Sequence, residues 1–359
     1  MIPRSRSSQS GFTLVELLVS LAVTAVLLLG VLATFDLNNR ITHVQTNVAD
    51  MQQSLRVAQD DMLRIARMAG RGGLPAAQAI QVTNNVAANT NLVTADSSTR
   101  ILEGTDVIRL RGVFNSSVYQ VDSLNPAMYR APDPSGVGAW FTVAAKTGIG
   151  VTQDLAKLQS LAQVGEALLI VSPSETYVIG KVTSVPTSGT LTLADGTTIA
   201  TLTINYEQHQ NAAALGGAFP VASFPAVAYI GILEDYGYYV REQHAIPSDL
   251  TSDLTPKLAR ARFSPGSNTL YDNTSNSNAD LADNILDLQA AVSFAGGGVP
   301  ELRLSTLART DRRDPGGYQA PLLTQIGDHV YTTSSPQNAR TERMYRRRVL
   351  VTDVDLRNL

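Results

Sequence analysis

Three residues near the start of the chain have types and spacing that could do chemistry together: Gly11, Phe12 and Glu16. Gly11 offers a peptide bond with no side chain on its acyl side, open to a protease at a membrane face. Cleavage there would leave a positive amine on Phe12 and make Glu16 the fifth residue of the new chain. Glu16 is also the single charge in GFTLVELLVSLAVTAVLLLGVLATF, residues 11–35. A carboxylate within such a run costs roughly 2.5–3.5 kcal/mol on insertion scales, so it marks a function. In a setting nearly free of water it can offset an amine with a strength that the low dielectric amplifies. No other constellation competes. His43, His209, His244 and His329 are scattered, with no HExxH or paired-ligand spacing. No Gly-x-Ser-x-Gly elbow, phosphate-binding glycine loop or dinucleotide fingerprint occurs. The sequence therefore predicts no catalytic residues, no cofactor and no metal site.

The element that must position these residues is a long helix. From Leu17 to Phe35 there is no ionisable side chain, and at about 1.5 Å per residue that stretch nearly spans a bilayer core. Before it, MIPRSRSSQS carries Arg4, Arg6 and no acid, which holds the N-terminus on the cytoplasmic side. A secretory signal cut after Val31-Leu32-Ala33 explains less, because the run is too long and carries a charge. A plain single-pass anchor explains the length but neither Gly11 nor Glu16. Beyond Asp36 the pattern turns amphipathic: Ile41, Val44, Val48, Met51, Leu55, Ala58, Met62, Ile65 and Ala69 alternate spacings of three and four. Thr46, Gln53, Asp60 and Arg67 lie opposite, and Asp60 with Arg64 predicts an i, i+4 ion pair. With no proline between Phe12 and Leu74, a helix over Phe12–Ala69 would measure about 87 Å. Gly70, Gly72, Gly73 and Pro75 end it, and Gly30 is the one weak point in its apolar half. The apolar stripe is expected to pack on a sheet rather than on a partner helix.

Residues 71–359 read as β-rich. Thr105–Phe114, Ala167–Val171, Tyr177–Val185, Thr190–Leu193, Thr198–Tyr206, Ala226–Leu233 and Tyr238–Glu242 are short runs of Val, Ile, Thr and Tyr. Turn material punctuates them at Pro126, Pro132-Asp133-Pro134, Pro186–Gly189 and Pro265-Gly266, and Asp195-Gly196 is the clearest hairpin signal. Gln153–Leu161 and Asp249–Ala261 read as short helices, and 83–99 and 267–280 as exposed loops. The head is long enough for a substantial core and an inserted subdomain. Without residues 1–11 the chain has 26 basic and 31 acidic residues, a balance that argues against a dedicated nucleic-acid binder. There is no cysteine, so packing, hydrogen bonds or a bound ion must hold its loops.

Gly11-Phe12-Thr13-Leu14-Val15-Glu16 resembles the class III signal of type IV pilins and pseudopilins. In that family a prepilin peptidase cuts after the glycine, the new N-terminal phenylalanine is N-methylated, and the glutamate is fifth in the mature chain; by its charge, Glu16 is expected to guide docking onto a growing filament. The resemblance implies an α+β, pilin-like fold with a long N-terminal helix packed on a large β-rich head. It divides the chain into a leader at 1–11, a transmembrane and filament-core helix at 12–36, its amphipathic continuation at 37–70 and a head at 71–359. Asn284–Gln289 running into Ala290–Phe294, the terminus Tyr345–Val354 with Leu356-Arg357-Asn358-Leu359, and Asp60–Gly70 are similar to large minor pilins of the PilW type. That likeness implies a structural subunit that primes a type IV pilus or sits at its tip, not an enzyme. The implied partners are other minor pilins, the major pilin, prepilin peptidase and an inner-membrane assembly platform. Its implied place is the bacterial inner membrane, head in the periplasm, and then the pilus at the cell surface. A minor pseudopilin of a type II secretion system shares the leader, the helix and Glu16; a tip-displayed adhesin or DNA-binding module is the alternative from another class.

Three further groups of residues carry competing readings. Arg340, Arg343, Arg346, Arg347 and Arg348 could contact phosphates, but strand alternation divides them, so a solvated edge strand or a salt-bridged subunit contact is the expected reading. Asp272, Asn273, Asn276, Asn278, Asp280 and Asp283 offer oxygens for calcium without EF-hand spacing, which favours a polar loop. Tyr236, Tyr238 and Tyr239 around Gly237 are expected to be strand packing rather than an adhesive surface.

Overall fold

Helix α1, Leu14–Ala66, is one uninterrupted rod of 53 residues, about 80 Å long. It passes through Gly30 without a break, and the Gly30 carbonyl accepts a hydrogen bond from Thr34 Oγ1 at 2.9 Å. The computed structural model of the chain describes residues 12–356 apart from 94–98, 122–128, 131–137, 147–150, 193–195, 220–226, 247–248, 250–251, 272–277, 294–299 and 315–316. Gly11 and the leader, Pro126, Pro132-Asp133-Pro134, Asp195, Asp272, Asn273, Asn276 and Arg357-Asn358-Leu359 therefore lie outside the described residues.

The amphipathic stripe packs as its spacing requires. Met51, Leu55, Ala58, Met62, Ile65 and Ala69 are buried, Val44 and Val48 are half-buried, and Ile41 remains exposed. Thr46, Gln53, Asp60 and Arg67 face solvent. The expected Asp60–Arg64 pair is replaced by Arg64 to Asp61 at 3.0 Å. Asp61 is already fixed, accepting from Arg260 Nη1 at 3.0 Å and from the Tyr238 hydroxyl at 2.8 Å, and an immobile carboxylate is the cheaper partner. Burial, and then the Asp61 carboxylate, push the Tyr238 phenol well above its ordinary pKa, so it stays a donor. The helix stops three residues short of Ala69 and gives way to turns through Gly70, Gly72 and Gly73, with φ of +75°, +100° and +93°. A Cβ on Gly72 would lie 2.8 Å from Val113 Cγ2 and 3.0 Å from Leu169 Cδ2, so both conformation and close approach demand glycine there.

After a single turn, α2 (Ala76–Ala79), β1 (Ile80–Thr83) pairs antiparallel with β2 (Val107–Gly112). The chain then leaves this sheet and builds a second one: β3 (Tyr119–Gln120), β4 (Tyr129–Arg130), β5 (Ala139–Ala144), β6 (Ala167–Val171), β7 (Tyr177–Val182), β8 (Thr187–Thr192), β9 (Thr198–Gln208) and β10 (Tyr229–Ile232). Their order is β3-β10-β6-β7-β9-β5-β4, with β8 on β9 as the Asp195-Gly196 signal predicts. Helix α3 (Leu155–Leu161), capped by Asp154, buries Leu158 in this unit. The chain returns as β11 (Glu234–Arg241), which pairs directly with β2, Glu234 opposite Gly112. Residues 113–233 are thus inserted between two adjacent strands. β12 (Lys257–Phe263) and β13 (Asn278–Asp283) complete a five-stranded sheet, β1-β2-β11-β12-β13. β14 (Ile285–Ser293), β15 (Glu301–Arg309), the small hairpin β16 (Gln325–Ile326) and β17 (His329–Val330), and β18 (Arg347–Asp355) follow. β14, β15 and β18 form a three-stranded sheet with β18 at its edge.

Further expectations are corrected, and Thr187–Gly189, read as turn material, already belong to β8. The helix read over Asp249–Ala261 is, from Lys257, the strand β12, because β11 and β13 pair with it on either side. Its period is two: Ala259, Ala261 and Phe263 enter one apolar cluster, while Leu258, Arg260 and Arg262 turn to the face of Asp61 and Glu166. The loop read over 267–280 ends early, since Asn278–Asp280 already belong to β13. Tyr236, Tyr238 and Tyr239 are buried, as expected of packing.

Helix α1 contacts β13, β15 and β18, and Gln59 accepts from Thr352 Oγ1 at 2.8 Å and donates to the Leu350 carbonyl at 3.3 Å. The inserted sheet shares this core through Leu169, Val171 and Ile179, whereas Leu168, Ile170 and Val178 on its other face fill a separate core. The long excursion between β15 and β18 is held without cysteine. Buried Arg309 pairs with Glu342 at 2.5 Å, Arg346 with Asp314 at 2.8 Å, and the Asn338 amide donates to the carbonyls of Leu323 and Thr332.

Candidate functional site

No described residue buries the first half of α1. Every large apolar side chain from Leu14 to Phe35 is at least half exposed, and the 18-residue window of highest mean hydropathy, 2.6, has no buried residue. Its length and composition suffice to cross a membrane. Phe12 is 77 % exposed and stands just outside the helix, with Thr13 as the N-cap. Thr13 Oγ1 accepts from the Glu16 amide at 3.3 Å, and the Thr13 carbonyl from Leu17 N at 3.2 Å. Thr13-x-x-Glu16 thus has the sequence of a capping box, and places a carboxylate in the first turn, where the helix dipole favours it. Thr13 is the residue that reading the sequence missed, although its spacing from Glu16 was the available signal.

The remaining polar groups of the apolar half are silenced. Ser20 Oγ donates to the Leu17 carbonyl at 3.0 Å, Thr24 Oγ1 to Ser20 at 2.8 Å, and Thr34 Oγ1 to Gly30. Hydroxyls folded back onto the helix cost little in hydrocarbon. At about 100° per residue, Thr13, Glu16, Ser20, Thr24 and Thr34 share one stripe about 80° wide. Among the described residues Glu16 has no ion-pair partner, whereas Asp61, on the docked half of the same helix, has two. Phe12 and Glu16 thus stand at the start of a half-helix that no other described residue buries.

Among the described residues the other charged groups singled out in the sequence are not gathered into a site. Arg346 bonds Asp314, Arg347 donates to the Gln337 carbonyl at 2.5 Å, and Arg343 to the Ala320 carbonyl at 2.8 Å, while Arg340 and Arg348 are exposed. The cluster mostly pins the excursion onto the edge strand. Of the oxygens considered for calcium, Asp280 pairs with Arg241 at 2.6 Å, Asp283 with Lys257 at 3.2 Å, and Asn278 donates to the Tyr239 hydroxyl. His329 lies 3.3 Å from Asp287, deep in the head, and no group of three metal-ligating side chains occurs among the described residues.

Residues 6–32 match the family model of the prokaryotic N-terminal methylation motif, a stretch that encloses Gly11, Phe12 and Glu16. The match supports a protein of the type IV pilin-like kind, pilin or pseudopilin, anchored in a membrane before assembly; that motif's family is structural rather than catalytic. No curated protein and no solved structure shows significant similarity to the chain.

Proposed function

We propose that this chain is a minor pilin of the PilW type, a structural subunit that primes a type IV pilus or sits at its tip. In this reading prepilin peptidase cuts after Gly11, Phe12 is methylated, and residues 12–36 hold the head, residues 71–359, outside the inner membrane until the rod enters the filament core. The observation that carries the reading is the bare half of α1, which begins with Phe12 and Glu16 at the offset the methylation motif requires. Burial in lipid first, and then against other such helices in a fibre, would satisfy so much apolar surface. The Glu16 carboxylate then offsets the Phe12 amine of a neighbouring subunit in a medium of low dielectric. The hydroxyl-bearing stripe that it heads is the face offered to neighbours. What supports the PilW type is the pair of strands β14 and β18, formed from the two stretches that resemble it. A large head with an inserted sheet suits a tip, since a bulky subunit fits poorly in a regular shaft.

Mass spectrometry of the mature protein should find N-methylated Phe12 at its start. Glu16→Ala should leave membrane insertion intact yet remove the protein from sheared filaments almost completely; normal incorporation would refute the proposal. Co-purification with pilus rather than secreton components separates a pilin from a pseudopilin.

A further inference from the structure

Arg309 on β15 and Arg347 at the start of β18 stand directly opposite each other in the ladder, so their side chains leave the sheet on the same face. Cross-strand neighbours have Cβ atoms about 5 Å apart, and like charges placed so repel. We propose that a small inorganic anion, of the chloride type, binds between these two guanidiniums, and this does not depend on the filament reading.

Donors outnumber acceptors at this pair. Arg309 is 2 % exposed; its Nη1 donates to Glu342 at 2.5 Å and its Nη2 to the Leu254 carbonyl, while its Nε is shut off from solvent and unmatched. Arg347 donates from Nη2 to the Gln337 carbonyl at 2.5 Å, and its Nε and Nη1 are equally shut off and unmatched. Three nitrogens on two cations are thus left without an acceptor among the described residues. A guanidinium carries donors only, so neither arginine can serve the other. A buried donor without a partner forfeits its hydration, and a charged one forfeits more. The Gln337 side chain, whose Oε1 is also unmatched, is neutral and leaves the charge unanswered, as a water would.

Charge points the same way. Among the described residues Glu342 is the one acid paired with either arginine, and Arg347 itself has no ion-pair partner. The other acids of this region are matched, Asp253 with Arg313 at 2.5 Å and Asp314 with Arg346 at 2.8 Å. Residues 247–248, 250–251 and 315–316, which adjoin Asp253 and Asp314 in the chain, bring no charge. Arg343 adds one more cation, spent on the Ala320 carbonyl. Burial holds the Arg347 pKa below its ordinary value, and Arg309 and Arg343 push the same way against Glu342 and Tyr318. An anion would answer both the bare donors and the surplus charge through charge-assisted bonds. The narrow cross-strand spacing favours a single atom over a phosphate or a carboxylate ligand. Seated there, it would tie β15 to the first residue of β18 and close the 310–346 excursion at its base, in a chain that has no cysteine.

The test uses the full chain in detergent micelles and urea unfolding followed by Trp140, in sodium chloride and, separately, in sodium gluconate of equal ionic strength. The midpoint should rise with chloride and saturate, half of the rise coming at on the order of 10 mM, and should stay flat in gluconate. Arg347→Met should abolish the chloride response, whereas Arg340→Met, which removes an exposed cation of the same cluster, should keep it. Crystals of the unaltered chain grown in sodium bromide should show an anomalous peak between the guanidiniums of Arg309 and Arg347, which decides the matter if the Arg347 variant fails to fold. Equal midpoints in the two salts, a chloride response that survives Arg347→Met, or a water or nothing in place of the bromide peak would each overturn the proposal.

Discussion

Helix α1 has one backbone but two surroundings. Between Leu14 and Phe35 its apolar side chains point in every direction and none is buried, while between Met51 and Ala69 a single stripe is buried and the opposite face carries Gln53, Asp60 and Arg67. The two halves also treat acids differently. Asp61 is clasped by Arg260 and Tyr238, and the Glu16 carboxylate has no ion-pair partner among the described residues. Hydrogen bonding along the backbone is the same throughout, so the difference lies in who supplies the neighbours. The head supplies them for the second half; for the first they must come from lipid or from other chains. A substitution of one kind made in each half should therefore give different outcomes.

Glycine to alanine gives the widest separation. Gly72→Ala should cost on the order of 3 kcal/mol or more of head stability, from a positive φ and from overpacking against Val113 and Leu169. Gly30→Ala, with nothing within 4 Å, should leave the head unchanged and firm the helix by up to ~1 kcal/mol. Denaturant unfolding followed by Trp140, in the inserted sheet, reads both; coincident midpoints would dissolve the contrast. Leucine to alanine comes next. Leu55→Ala should remove about 2–4 kcal/mol, and Leu28→Ala nothing measurable from the head.

A third test uses a proton. Burial pushes the Asp106 carboxyl up to about 6, with nearby Asp328 and Asp287 adding to the rise and the amides of Asn85 and Ala290 opposing it. A folded pKa above the unfolded one means that the native head binds the extra proton. Stability from this group should thus fall as pH climbs from about 4 to about 6, by on the order of 2–3 kcal/mol, and level off above. Asp106→Asn should flatten that slope in the unfolding curve of the head while the helicity of the rod stays constant with pH. The smallest effect belongs to Arg40→Ala, which breaks the exposed pair with Asp36. It should alter helix content by less than ~0.5 kcal/mol and vanish in high salt.

The sequence made the rod legible because its signals are local. Six of the nine stripe positions are buried, and the glycines after Ala69 stand where the chain turns. Ala167–Val171 and the Asp195-Gly196 hairpin were legible for the same reason, since runs and turns announce themselves within a few residues. β12 was not, because what makes it a strand is pairing with β11 and β13, which lie outside any local window. β5 and β15 were missed alike; alanine and arginine in AWFTVA and ELRLSTLAR blur the alternation that burial later imposes. At the site, Gly11, Phe12 and Glu16 were read from spacing, while the partners of Asp61 depend on residues some two hundred positions away and left no trace.

Because Gly112 and Glu234 face each other across a ladder, the principal sheet has a socket into which a whole second module is plugged. A two- or three-residue hairpin would close that socket on topological grounds. Leu169 and Val171, however, press on the bend at Gly72 and Gly73, so the module is also a wall of the room that houses the rod's inner end. Any replacement cargo would have to bring a greasy plank of matching width, which ties diversification of the module to the joint that steadies the rod.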